Sequence, residues 1–226
     1  MPALSQRPFL SPRLLLLAIG LTGCGVLLFA RGWYAHDLKF RFLAWNLFLA
    51  LVPAIAASAL LHADRRGARV AAVAWGAMWL LFLPNAPYLI TDLVHLRPRP
   101  PVPYWFDIAL FATFAGAGML AAFSSLQDVQ HVVGRRFGRV AGWTVVTLAA
   151  FAAGFGIELG RMQRWNSWDL LTQPADLLTS VAARLFEPWL HPRALVVTLL
   201  YGAVLLFGYI AVRVILKPRA HDEAQA

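Results

Sequence analysis

Apolar residues run almost unbroken through six stretches of the chain, at 14–30, 40–61, 70–90, 104–126, 141–159 and 194–216, and charged residues collect between them. A helix needs ~20 apolar residues to cross a hydrocarbon core ~30 Å thick, and most of these runs supply about that many. The pattern predicts an all-α polytopic membrane bundle: one domain over 14–216, with short tails at 1–13 and 217–226. Pro53 falls inside the second run, where its missing N–H predicts a kink. The third run meets Pro84 after about 14 residues, or ~21 Å of helix, which is short of a crossing. The break Pro84-Asn85-Ala86-Pro87 is therefore expected at membrane depth, with the helix resuming beyond it. After the fifth run, Pro174 opens 175–187, where Leu177, Leu178, Val181, Leu185 and Phe186 recur at helical spacing. That segment reads as a helix lying in the interface, apolar side down, as a lid or wall.

Composition strengthens this picture and narrows the partners. Apolar residues make up 60% of the 226 and charged ones 14%, too few to cover a soluble domain. The net charge of +9 is spread between apolar runs and builds no basic module, which excludes nucleic acid as a partner and leaves membrane lipid. Cys24, the single cysteine, excludes an internal disulfide framework and a cysteine-based zinc site. Leu21-Thr22-Gly23-Cys24 resembles a lipoprotein cleavage box, but apolar residues follow directly, so the first run reads as a signal anchor. Cations divide almost evenly between the two sides of the bundle. The dense triplets Arg65/Arg66/Arg69 and Arg135/Arg136/Arg139, tight against the runs and in the expected loops 62–69 and 127–139, mark one side as cytoplasmic. Both termini are then cytoplasmic.

On that topology polar groups gather at the outward face: Asn85, Asp92, Asp107, Glu158, Asn166, Asp169 and Asp176. Asn85 either caps the proline break or lines a cavity there. Asp92 and His95, three residues apart, share a face if helical, a spacing that can polarise an imidazole or contribute to a metal site. Asp107 stands in a first helical turn, where the dipole favours a carboxylate. Glu158 stands near a helix C-terminus, where the dipole disfavours one, so it needs a cation; Arg161 is the nearest in sequence. Two arginines and two indoles in Gly160-Arg161-Met162-Gln163-Arg164-Trp165-Asn166-Ser167-Trp168-Asp169 suit an anionic or sugar headgroup, and equally an aromatic belt with snorkelling arginines. No phosphate loop, His-Glu-x-x-His helix or Gly-x-Ser-x-Gly elbow occurs, and the sequence specifies no cofactor or metal.

Phe82-Leu83-Pro84-Asn85-Ala86-Pro87-Tyr88 with Thr91-Asp92-Leu93 and His95-Leu96, Trp105 with Asp107, and Gly160-Arg161 with Arg164-Trp165-Asn166-Ser167-Trp168-Asp169 carry a resemblance. Over roughly 40–216 the chain resembles an uncharacterised bacterial integral membrane protein family, domain of unknown function 1361. The resemblance implies the architecture and marks these motif positions; it implies no reaction. The expectation is an outward polar pocket for an envelope component, an anionic lipid headgroup or a glycolipid precursor. Asn85, Tyr88, Arg161, Arg164, Trp165, Asn166, Trp168 and Asp169 would bind it, with Arg161 and Arg164 as the anion clamp. In an enzyme, Asp92 or His95 would be the acid or base, and Asp107 or Glu158 the second carboxylate. A small-solute transporter built on the broken helix, and a non-catalytic structural or assembly subunit, are the alternatives.

Overall fold

The computed structural model describes residues 12–215, so the expected tails at 1–13 and 217–226 lie almost wholly outside the described residues. Helices α1 (Pro12–Ala35), α2 (Arg41–Arg65) and α3 (Arg69–Phe82) come first. The short α4 (Asn85–Thr91) follows the proline break and tightens into one 3-10 turn, Asp92–His95. Then come α5 (Tyr104–Phe137), α6 (Arg139–Gln163), the single turn α7 (Asp169–Thr172), α8 (Pro174–Phe186) and α9 (Pro192–Ile215). The described residues form no strand beyond an isolated bridge between Arg99 and Val102. Six helical stretches are long and apolar enough to cross a membrane, with α3, α4 and the 3-10 turn counting as one.

One boundary differs from the sequence expectation. Residues 127–137 are not a loop: α5 continues to Phe137, and Gly138, at φ 91, turns the chain directly into α6. The buried series Leu126, Val129, Val132 shows why, since an apolar stripe at helical spacing persists among the charges there. Pro53 is buried within a helix that runs on as one element from Arg41 to Arg65.

Helix α5 is the hub. It packs against α1, α2, α4 and α6, and it buries Leu110, Phe111, Phe114, Ala117, Ala121, Ala122 and Leu126. Helix α9 leans on α6, and α3 on α2. Small residues let α4 sink between its neighbours. A methyl on Gly118 of α5 would come within 2.6 Å of the Ala86 carbonyl oxygen, and one on Gly156 of α6 would overlap the Pro84 ring. Outward, Phe29 (72% exposed), Val70 (85%) and Phe207 (75%) present bare apolar surface. Such surface is stable only against lipid, and the protein is a multi-pass membrane protein. Six crossings bring Pro12 and Ile215 to one side, here the terminal end. The segments 36–40, 92–103 and 164–191 share the other, the loop end.

Candidate functional site at the loop end

The proline break is closed by side chains. Past Phe82 the backbone tightens, with Ala86 N–H donating to Leu83 O (3.2 Å) and Tyr88 N–H to Pro84 O (3.1 Å). Asn85 Nδ2 donates to Phe82 O (3.0 Å), and Ser167 Oγ, from the segment after α6, donates to Leu81 O (3.3 Å). Asn85 Nδ2 also donates to Ser167 Oγ (3.1 Å), tying break and outer segment together. Protein groups thereby replace the missing ladder, as irregular backbone inside a membrane bundle requires.

Just beyond the break, one guanidinium organises four groups. Arg161 Nη1 donates to Asp92 Oδ1 (3.2 Å) and to the Tyr88 hydroxyl (3.1 Å); Nη2 donates to Thr91 O (2.8 Å) and meets His95 Nε2 at 3.2 Å. Arginine only donates, so His95 accepts through Nε2 and carries its proton on Nδ1. Asp92 is buried, and its second oxygen accepts from Asn46 Nδ2 of α2 at 2.9 Å. The Arg161 carbon lies 5.3 Å from the Tyr88 ring centre, and the exposed His95 ring meets Phe42 edge-on at 5.3 Å. Three elements of the bundle are thereby locked by one charge pair.

The other carboxylates stand in separate pairs. Glu158 does not pair with Arg161, as sequence proximity suggested. It is buried against Arg184 of α8 (3.2 Å, without hydrogen-bond alignment) and Arg193 at the start of α9 (3.9 Å), with Gln163 Nε2 at 3.5 Å. The reason is geometric: Arg161, one turn on, points toward α4, while α8 returns a cation over Glu158. Asp107 is buried against Arg31 of α1, which also binds Asp37; Arg31 Nε is 3.4 Å from Asp107 Oδ1, and Oδ2 has no hydrogen-bond partner. Phe40 lies beside this pair, 4.5 Å from the Arg31 carbon. Among the described residues no three His, Cys, Asp or Glu side chains converge on a metal-sized site.

The segment after α6 is held by local bonds. Arg164 takes the left-handed conformation at the α6 C-terminus (φ 62) and is exposed, with no hydrogen bond or ion pair among the described residues. Trp165 Nε1 donates to Ser180 Oγ of α8 (3.3 Å). Asp169 is a knot: Oδ2 accepts from the Asn166 backbone N–H (2.7 Å) and side chain (3.2 Å), and Oδ1 from Thr172 Oγ1 (3.1 Å). The Asn166 N–H above all holds its carboxyl below the ordinary 3.8. Asp176 is exposed in the first turn of α8.

Between these groups lies a cavity of about 410 Å³. Its polar wall is Asn46, Asn85, Tyr88, Asn166 and Ser167, its aromatic wall Trp45, Trp165 and Trp168, and its apolar floor includes Leu49, Leu80 and Phe155. Leu177 and Val181 of α8 close one side, the position expected of a wall helix, while Leu178, Leu185 and Phe186 stay exposed. No charged side chain lines it among the described residues. Asp92 and Arg161 reach it only through Asn46 and Tyr88. Asn46 is the cavity-lining residue that sequence reasoning passed over; a lone amide inside the apolar run of α2 was the available signal. Arg31 and Arg184, the true partners of Asp107 and Glu158, carried no such signal.

A family model described as "Protein of unknown function (DUF1361)" matches residues 45–207, from the cavity residue Trp45 into α9. No curated protein and no solved structure matches the chain.

Proposed function

The chain belongs to the DUF1361 family of proteins of unknown function, and on that premise we propose that its loop-end cavity binds the glycosylated headgroup of an envelope lipid. The observation that carries this reading is the lining: amides, hydroxyls and indoles without one charge, above an apolar floor. Amides and hydroxyls match sugar hydroxyls in both donors and acceptors, and indole faces cover the apolar face of a sugar ring. The leucines and Phe155 suit the start of an acyl or prenyl chain.

The same lining favours the glycolipid over a purely anionic headgroup. Arg161, half of the expected clamp, is already neutralised by Asp92. Arg164, beside Trp165 in sequence, is left to meet a phosphate in the sugar–lipid linkage. Asp92 and His95 serve here as positioning residues: they fix Arg161, and through it Tyr88, against the cavity wall. The loop end faces outward from a bacterial cytoplasmic membrane, and the arginine-dense terminal end faces the cytoplasm; the clusters around Arg65 and Arg135 support that orientation.

The test uses the full chain in phosphatidylcholine nanodiscs, with glucosyl-diacylglycerol or plain diacylglycerol added and bound lipid read by native mass spectrometry. The glycosylated lipid is retained in preference to the plain one. Trp168→Ala, which removes a half-exposed indole from the wall, weakens that retention by about five- to tenfold. Equal retention of the two lipids contradicts the reading.

A further inference from the structure

The opposite end of the bundle holds a second cavity, larger and of contrary character. At the terminal end, α1, α2, α5, α6 and α9 surround a space of about 790 Å³. Five arginines line it: Arg13, Arg65, Arg135, Arg139 and Arg213. Two are already committed to carboxylates. Arg13 meets Asp128 at 3.3 Å, and Arg135, with Arg136, is bound to the buried Asp64. The remaining three form no ion pair among the described residues, although Arg65 stands within electrostatic reach of Asp128. Arg65 and Arg139 form no hydrogen bond or ion pair among the described residues, and Arg213 donates only to the neutral Gln130 Oε1 and the Tyr209 hydroxyl.

Gln130 gives the cavity a directed donor. It is 7% exposed, and its Oε1 accepts from Tyr209 (2.7 Å) and from Arg213. Arginine has no acceptor, so the amide cannot be the other way round. Gln130 is one of the residues lining the cavity, and its Nε2 is then buried without a partner. A buried N–H of this kind calls for an oxygen acceptor, and three guanidinium groups without an ion pair call for an anionic one. Trp143 holds the Arg213 carbon 5.7 Å from its ring centre, keeping that cation poised at the rim.

The rim continues onto the lipid-facing surface. A shallow groove of about 450 Å³ shares Arg139 and Trp143 with the cavity and runs along α6 past Val140, Thr144, Thr147 and Leu148. Thr144 Oγ1 turns back to Val140 O (3.1 Å), leaving its methyl outward, and Leu148 is 65% exposed. From Arg139 to Leu148 the groove covers about 14 Å of helix, the reach of most of an acyl chain. We propose that this cavity and groove together bind an anionic phospholipid, its phosphate held by Arg65, Arg139, Arg213 and Gln130 Nε2 and one chain lying along α6. The site is independent of the loop-end cavity and lies in the leaflet on the terminal side.

The experiment takes the purified full chain, delipidated in a neutral detergent, and offers it dioleoyl phosphatidylglycerol, dioleoyl phosphatidylcholine or inorganic phosphate, with bound species read by native mass spectrometry. Phosphatidylglycerol is retained, phosphatidylcholine is not, and millimolar inorganic phosphate fails to displace the lipid. The exposed pair Arg65→Gln and Arg139→Gln lowers retention about 25-fold together, a factor of about five for each lost cation. Arg97→Gln, which removes an exposed cation at the loop end, leaves it unchanged. Equal retention of the two lipids, displacement by phosphate alone, or an equal loss in Arg97→Gln overturns the proposal. Should the double variant fail to fold, the wild-type lipid preference and the phosphate competition decide without it.

Discussion

At the scale of single residues, the ion pair Asp92–Arg161 and the Asp169 carboxylate knot hold the elements around the loop-end cavity. Removing either half of Asp92–Arg161 leaves the other charged without its counter-ion in the bundle, a loss of about 3 kcal/mol. Asp92→Asn and Arg161→Gln are each expected to lower stability in detergent by about that much, and the double variant by clearly less than their sum. Additive losses in that unfolding cycle would mean the pair is not coupled; His95→Ala, at an exposed ring, should cost little. The Asp169 knot has a pH signature. Its carboxyl is held below 3.8, so the contribution is complete above that value and is lost as pH falls through the lower, folded one. Hydrogen exchange at 164–173 should therefore quicken in acid, and Asp169→Asn should quicken it at neutral pH. The residues behind these effects were only partly legible in the sequence. Asn85, Asp92, Arg161 and Asp169 stood out as polar groups beside apolar runs, but partners were not readable. Glu158 has Arg161 one turn away along its own helix and yet pairs with Arg184 and Arg193, which only the return of α8 and α9 brings near.

At the scale of elements, the broken third span is what the loop-end site is built on, and it was the clearest feature of the chain. Two prolines around Asn85 at ~21 Å of helix dictate an interruption, and it occurs there. What the sequence concealed was the seat of the break, because a glycine in an apolar run looks like any other small residue. Gly156 receives the Pro84 ring so closely that a methyl there overlaps it. Gly156→Ala is expected to destabilise the protein by about 1–3 kcal/mol and to loosen the Asn85–Ser167 tie. Gly116→Ala, with open space around its new methyl, should be neutral or mildly stabilising through helix propensity. Thermal unfolding of the two variants side by side checks this; equal behaviour would show that the break is not seated on α6. The extension of α5 to Phe137 was hidden for the opposite reason, since charges masked an apolar stripe that continues through Val129 and Val132.

At the scale of the whole molecule, the bundle separates two chemistries. The loop end places neutral amides and indoles around a cavity and locks its charges in internal pairs; the terminal end leaves three arginines without an ion pair among the described residues. The six spans followed from apolar run length, and counting them already put Arg13, Arg65, Arg139 and Arg213 on one side; their convergence on a single cavity required the fold, because they are far apart in the chain. The proposed orientation rests on the arginine triplets of the terminal end and can be tested directly. A cysteine in place of exposed Leu171 should react with an impermeant maleimide on intact cells, and one in place of Arg66 should react only after lysis, with Cys24 buried and silent. The reverse pattern would invert the topology. The central claim, that the uncharged loop-end cavity receives a glycosylated headgroup, is tested most directly by photocrosslinking the full chain in nanodiscs with a glycolipid carrying a diazirine on its sugar. The account predicts adducts on the peptide holding Trp165 and Trp168 and on the one holding Asn85 and Tyr88, suppressed by excess unlabelled glycolipid. Adducts spread over the lipid-facing surface of α1 and α9, untouched by that competitor, would contradict it.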